Sequence, residues 1–411
     1  MRVFSLENHI QRYAWGSRTG LVETLGLPNP EGAPLAELWM GAHPKAPSLA
    51  RLDSGARPLD ALIAEDPAGC LGAEVLETFG PNLPFLFKAL SAATPLSIQA
   101  HPGKRKAEHG FERENLAGIP LDAPERNYRD ANHKPETTVA LTRFEGLCGF
   151  RPIEEIIEHL RLLAPESFEQ LAGRLVRDPG RIELSVLVYS MISAAPEQKR
   201  KTLEKARPLV ERILAEGRAP AGRGEAFRWV ARLFELYPGD IGAFAPLLLN
   251  HVVLEPGEAV AIPPGELHAY LEGTALEIMA NSDNVIRGGL TPKHIDVPEL
   301  ISVLSFKPER AASFRPARVA PDEELYPPFA PDFQLSRIAP RPGAAAVRRP
   351  SGPEILLCVE GRLLLEEGGG ALELVRGGSA FVRADSGEYR LSGAGLAYRA
   401  SVPPRGAVPP A

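Results

Sequence analysis

Cysteine is scarce. Cys70, Cys148 and Cys358 are the three among 411 residues, they lie far apart, and no CxxC occurs. A disulfide scaffold and a thiolate zinc site are thereby excluded, and a reducing compartment fits. Long apolar runs are missing too. Met1 to Trp15 holds no apolar stretch of about 7 to 15 residues ahead of a small-residue cleavage site. Nowhere do about 18 apolar residues follow one another. The expectation is a cytoplasmic chain without a membrane partner. Positive charge is not in excess either: 46 Lys and Arg stand against 52 Asp and Glu, a net charge of −6. Without a basic footprint to neutralise phosphates, nucleic acid is not expected as a partner.

What is present is length and turn formers. At about 150 residues per domain, 411 residues suggest two to three domains. The 38 glycines and 41 prolines favour many turns, and hence β structure, without reaching low complexity. From Met1 to about Arg151, short apolar runs such as Phe85-Leu86-Phe87 and Thr138-Val139-Ala140-Leu141 alternate with Pro/Gly turns, as short strands do. From Pro152 to about Leu249 the period changes. Ile153, Ile156, Ile157 and Leu160 recur at helical spacing, as do Phe227, Val230, Phe234 and Tyr237, and Ser167 to Gln170 has the form of a capping box. After Asn250 strands return in His251–Leu254 and Ala259–Ile262. A Pro-rich stretch from Pro316 to Pro353 reads as irregular chain joining two domains, beyond which Glu354 to Tyr398 again supplies short strands.

Three segments carry metal-binding chemistry. In Gly257-x5-Pro263-x-Gly265-x2-His268, a strand and a Pro/Gly turn precede a histidine at the start of a returning strand. This resembles the second motif of the cupins, jelly-roll barrels in which such an imidazole can point inward as a ligand. Gln99 and His101 are two apart and share one face of a strand. Glu136, in Asn132-His133-Lys134-Pro135-Glu136, precedes an apolar run and can add a carboxylate oxygen. One amide oxygen, two imidazoles and one carboxylate suit Zn²⁺ or another first-row divalent ion. A buried, hydrogen-bonded histidine is the alternative at each position.

Together these segments resemble the type I phosphomannose isomerases, a cupin-fold family. The resemblance runs through Gln11–Ser17, Ala36–Pro44, Leu83–Lys88, Leu96–Pro102, Asn132–Glu136, Leu147–Pro152, Pro264–Tyr270 and Ser282–Lys293, in the family's order. One departure is Gly103, where the family usually carries Asp. The resemblance and the change of period together imply a mainly β fold with an α-helical insert: a cupin metal domain from residues 1–151 and 251–315 and a helical insert from 152–250. The C-terminal zone departs from the family too, being hard to match, and its own spacing suggests a C-terminal cupin-like barrel from 316–411. Counted from Gly378 as from Gly257, the place of His268 falls on Tyr389, so the last barrel is expected to be degenerate and to bind no metal.

The resemblance implies zinc on Gln99, His101, Glu136 and His268, and a reaction that interconverts mannose 6-phosphate and fructose 6-phosphate through an enediol. Arg287 and Lys293 carry over as active-site cations, with Lys88 and Ser97 as further phosphate candidates. Glu277 is the first choice of base, because an acid within an apolar strand is costly unless it faces a polar cavity, with a buried Glu–cation pair as the alternative. Lys134 and His133 are runners-up for proton shuttling or ring opening. Trp15, Trp39 and Tyr270 form cavity wall or core, and Asp283 and Glu37 bind hydroxyls or caps. His9, His43, His109, His159, His251 and His294 stay structural or surface. Competing functions are a cupin metal oxygenase and a non-catalytic sugar-phosphate-binding cupin. No obligate protein partner is implied.

Overall fold

Every residue of the strand Phe85–Ala92 is buried, Lys88 and Ser91 included. A strand buried on both faces needs cover on both, and here it comes from two sheets and a layer of helices. The computed structural model describes residues 2–163, 166–217 and 224–408, with the backbone alone for 166–171. The side chains of the capping-box residues Ser167 to Gln170 therefore lie outside the described residues. Among those described, the strands form an antiparallel ten-stranded sheet and an antiparallel eleven-stranded sheet.

The ten-stranded sheet is organised around the long strand His268–Ala280. Its first half pairs with Phe144–Phe150 and, at His268, with Gln99. Its second half pairs with Phe85–Ala92 and Glu136–Ala140. The strand changes partners at Gly273, whose φ is +115°. A Cβ there would lie 2.6 Å from the carbonyl oxygen of Arg143, so only glycine lets the two strands approach. Between Phe150 and Leu249 the chain leaves the sheet for helices at Ile153–Leu162, Glu166–Arg177, Arg181–Ser193, Pro196–Ala215 and Gly224–Leu236. The helical spacing is realised as read: Ile156 and Leu160 are fully buried, and Phe227, Val230 and Phe234 pack with them against Ile98, Leu147 and Phe150 of the sheet.

The stretch 316–353 is not irregular. It holds strands Ala317–Ala320, Glu323–Leu325, Gln334–Ile338 and Ala346–Arg348, all paired in the eleven-stranded sheet. Its prolines at 316, 321, 327, 328, 331, 340, 342, 350 and 353 fall in the connections, where a missing N–H costs no ladder bond. The same sheet takes strands from far upstream. Val3–Glu7 lies between Ser379–Val382 and Leu49–Leu52, and Gly55–Pro58 follows. One apolar core joins both sheets: Phe85, Phe87, Leu276 and Ile278 from one pack with Ile355, Leu357, Phe381 and Tyr398 from the other.

Candidate metal centre and cavity

Three strand ends meet at one point. His101 follows the strand Ile98–Ala100, Glu136 opens Glu136–Ala140, and His268 opens His268–Ala280. All three side chains are buried, and one ligand atom from each lies within 4.8 Å of the others. His101 Nδ1 is 2.7 Å from the carbonyl of Asn284, and His268 Nδ1 is 2.9 Å from that of Glu266. A carbonyl only accepts, so each Nδ1 carries the proton and each Nε2 presents a lone pair. Those lone pairs face the carboxylate: His101 Nε2 is 3.3 Å from Glu136 Oε1, and His268 Nε2 is 3.4 Å from Oε2. Acceptors aimed at acceptors need a cation between them, and His268 Nε2 and Glu136 Oε2 are indeed buried with no hydrogen-bond partner. The donor set thus fits a divalent metal ion. Gln99 stands opposite His268 in the ladder and lines the cavity beside Glu136.

The protonation states agree. Burial pushes Glu136 up, but Lys134, whose Nζ lies 2.9 Å from Oε1, and His101 outweigh it and hold the carboxyl well below its usual range. Burial, then Lys134, pushes His101 down to about 4. Both groups are in the forms that bind metal near neutrality. Cys148, behind His268 in the ladder, is pushed up to about 12 by burial and stays a thiol.

A cavity of about 570 Å³ opens above this cluster. Strand pairing aligns Trp39, Lys88, Glu277 and Thr138 in one row across four strands, the first three lining the cavity. Residues in register share a face, and Glu136, two residues before Thr138, shares it too. Lys88 Nζ is 3.0 Å from Glu277 Oε2, and the Tyr270 hydroxyl donates to Oε1 at 2.6 Å. Burial works to lower the Lys88 pKa, but Glu277, Glu37 and Glu136 raise it overall, so it is an ammonium. Burial and Glu277 raise Tyr270 well above its usual range. Glu37 accepts from Trp39 Nε1 at 2.7 Å.

Other expected residues gather at the mouth. Trp15, Ser97, Asp283, Arg287 and Lys293 all line the cavity. Leu290, left-handed at φ +53°, turns the chain between Arg287 and Lys293. Burial pushes Asp283 up, yet His43 and Lys45 hold it far below its usual range, with Lys45 Nζ at 2.7 Å.

His133 is not brought to the site. Its Nε2 lies 2.8 Å from Asp332, in the turn before the strand Gln334–Ile338, and it does not line the cavity; its neighbour Lys134 does. Four further residues belong here, among them His43, a residue expected to be structural or surface. His43 and Lys45 hold Asp283, Arg129 lines the mouth, and Asn284 supplies the carbonyl that fixes His101. Asn284 sits inside the Ser282–Lys293 motif, next to Asp283, and that position was its signal. Arg129 lies in a loop with no periodic pattern.

The family model for the type I phosphomannose isomerase catalytic domain matches residues 3–153. Mannose-6-phosphate isomerase of Salmonella typhimurium is 42% identical over 396 residues, covering 96% of this chain and 98% of its own. The Homo sapiens protein of the same name is 39% identical, covering 93% and 94%. A solved structure of mannose 6-phosphate isomerase with zinc bound superposes with a TM-score of 0.89 at 40% identity, covering 98% of this chain and all of that one.

Proposed function

The chain belongs to the type I phosphomannose isomerase family, and from that premise we propose how its cavity works. It is a metal-dependent aldose–ketose isomerase that interconverts mannose 6-phosphate and fructose 6-phosphate. The family match favours this reaction over the metal-oxygenase and binding-only alternatives. The carrying observation is the buried His101–Glu136–His268 cluster, with two orphaned acceptor atoms, at the floor of a cavity with a cationic mouth.

Gln99, His101, Glu136 and His268 would hold zinc. Zinc, when bound, supplies Lewis-acid polarisation of substrate oxygens. Isomerisation moves one proton between C2 and C1 and another between their oxygens, through an enediol. Glu277 is the carbon base: Lys88 pairs with it in a buried place, the Tyr270 hydroxyl aims it, and a carboxylate with two bonds made retains lone pairs for a third. Lys134, at the cavity floor, exchanges the oxygen proton. Arg287 and Lys293 bind the phosphate, with Ser97, Trp15 and Asp283 lining the path of the sugar.

We also read residues 1–151 and 251–315, which carry the ten-stranded sheet but lend Val3–Glu7, Leu49–Leu52 and Gly55–Pro58 to the other, as a cupin jelly roll, with 152–250 as its insert and 316–411 as a second, degenerate barrel. In its support, Gly257 and Gly377, both at φ +82°, precede the strands Ala259–Ile262 and Ser379–Val382. His268 and Tyr389 then open the two long strands that follow. The counterpart of Gly257 is thus Gly377 rather than Gly378, the second connection being one residue longer. The Tyr389 hydroxyl donates to Glu354 at 2.6 Å where a metal ligand would otherwise stand.

Turnover of mannose 6-phosphate, measured before and after chelation and after Zn²⁺ is restored, tests the reading. Loss and recovery are expected; a folded, zinc-loaded sample without turnover overturns it. Glu277→Gln should lower kcat by about 10²- to 10⁴-fold and suppress exchange of the C2 hydrogen with solvent, leaving zinc content unchanged.

A further inference from the structure

Two arginines three residues apart line the same cavity, and their surroundings differ. Arg126 is spent on the fold. Its guanidinium donates to the carbonyls of Tyr128 and Ile119 and to Asn115 Oδ1, and it pairs with Glu114 at 3.0 Å. The half-buried Arg129 makes no side-chain hydrogen bond or ion pair among the described residues. Arg287, half-buried, and Lys293 are equally without a partner. Burial first, and then Arg129, lowers the pKa of Arg287; Lys293 is lowered by burial, then Arg287, then Arg129. Three cations repelling one another at one mouth is a costly arrangement that an anion relieves.

The loop that carries Arg129 is unusually well held. Glu114 accepts the backbone N–H of Asn127 and of Tyr128, at 3.3 and 2.9 Å. The buried Asn284 accepts those of Arg129 and Asp130, at 2.7 and 3.3 Å. Four consecutive amides are fixed by two buried side chains, while the guanidinium between them is left unbonded. Rigid backbone with a free charged tip is preorganisation for a ligand.

We propose that Arg129 is a substrate-binding residue: the third arm, with Arg287 and Lys293, of the grip on the phosphate group of the sugar. The assignment rests on the isomerase reading. A planar guanidinium can donate two parallel bonds to phosphate oxygens, so Arg129 adds orientation as well as charge. Asn284 links this arm to the metal end, because its side chain holds the Arg129 loop and its carbonyl holds His101.

The test compares wild type, Arg129→Met and Arg129→Lys, all zinc-loaded. It reads kcat and KM for mannose 6-phosphate, the inhibition constant of inorganic phosphate, and the ionic-strength dependence of KM. Arg129→Met should raise KM and the inhibition constant together by about ten- to a hundredfold, with kcat within a few-fold and zinc content unchanged. Its KM should depend less on salt, and Arg129→Lys should recover part of the loss. Unchanged KM and phosphate inhibition in a folded Arg129→Met overturn the proposal. If wild type itself does not turn over, the isomerase reading fails instead. Calorimetric binding of inorganic phosphate to wild type and Arg129→Met then still decides whether Arg129 binds the anion.

Discussion

His133 and Lys134 are neighbours in sequence with opposite duties. Lys134 reaches Glu136 at the cavity floor, whereas His133 is tied to Asp332, a carboxylate 2% exposed. His133→Ala should therefore act on stability, leaving Asp332 short of a partner at a cost of about 2 kcal/mol. A calorimetric Tm lowered by a few degrees, with kcat within about twofold, is the expected result; a large loss of kcat at unchanged Tm would place His133 in the chemistry. Asn284 is the opposite case, a fully buried amide bonded to Asp130, Asn132 and the Arg129 loop. Asn284→Ala strands several of these groups and should cost about 3 kcal/mol or more by denaturant unfolding, with faster zinc release as His101 loosens. The proposed metal ligands leave local patterns, Gln99 and His101 at i and i+2 and His268 after Gly265, but it is the family resemblance that joins them with Glu136 into one set. Arg129 was not legible, since in sequence an unpaired loop arginine looks like any solvated charge.

The helical insert is fastened to the sheet by a polar clasp as well as by its apolar face. Glu145, on the strand Phe144–Phe150, accepts from Trp229 of the helix Gly224–Leu236 and pairs with His251, each at 2.8 Å. The hydrogen bond with His251 is the largest influence, and with Trp229 and Arg143 it outweighs burial to pull Glu145 down to about 2. A carboxyl depressed in the folded state stabilises it above the ordinary value of 4.5 and loses that contribution as the pH falls toward 2. Wild type should thus exceed Glu145→Gln in Tm at pH 6, and the gap should close across that window; a pH-independent gap would show that the clasp acts by shape alone. Periodicity made the helices readable, since 3.6-residue spacing is local information. The strands of 316–353 were hidden because prolines at their ends resemble prolines throughout, and only the pairing partner tells which residues are extended.

The core shared by both sheets makes them one cooperative body. Phe381→Ala, deep in the eleven-stranded sheet, should cost about 3–5 kcal/mol. It should move zinc release and far-ultraviolet circular dichroism to the same lower midpoint; separate midpoints would mean the sheets unfold independently. At this scale the sequence is least readable, because nothing near Val3–Glu7 announces that this strand pairs with Ser379–Val382 on one side and Leu49–Leu52 on the other. That same pairing sets a clock on biosynthesis. Val3 faces Val382, so this strand, once translated, waits for a partner 379 positions later. At about 5 to 20 residues per second the wait is on the order of twenty seconds or more. Throughout it the ladder groups of Val3–Glu7 toward Ser379–Val382 stay open to mispairing on the ribosome.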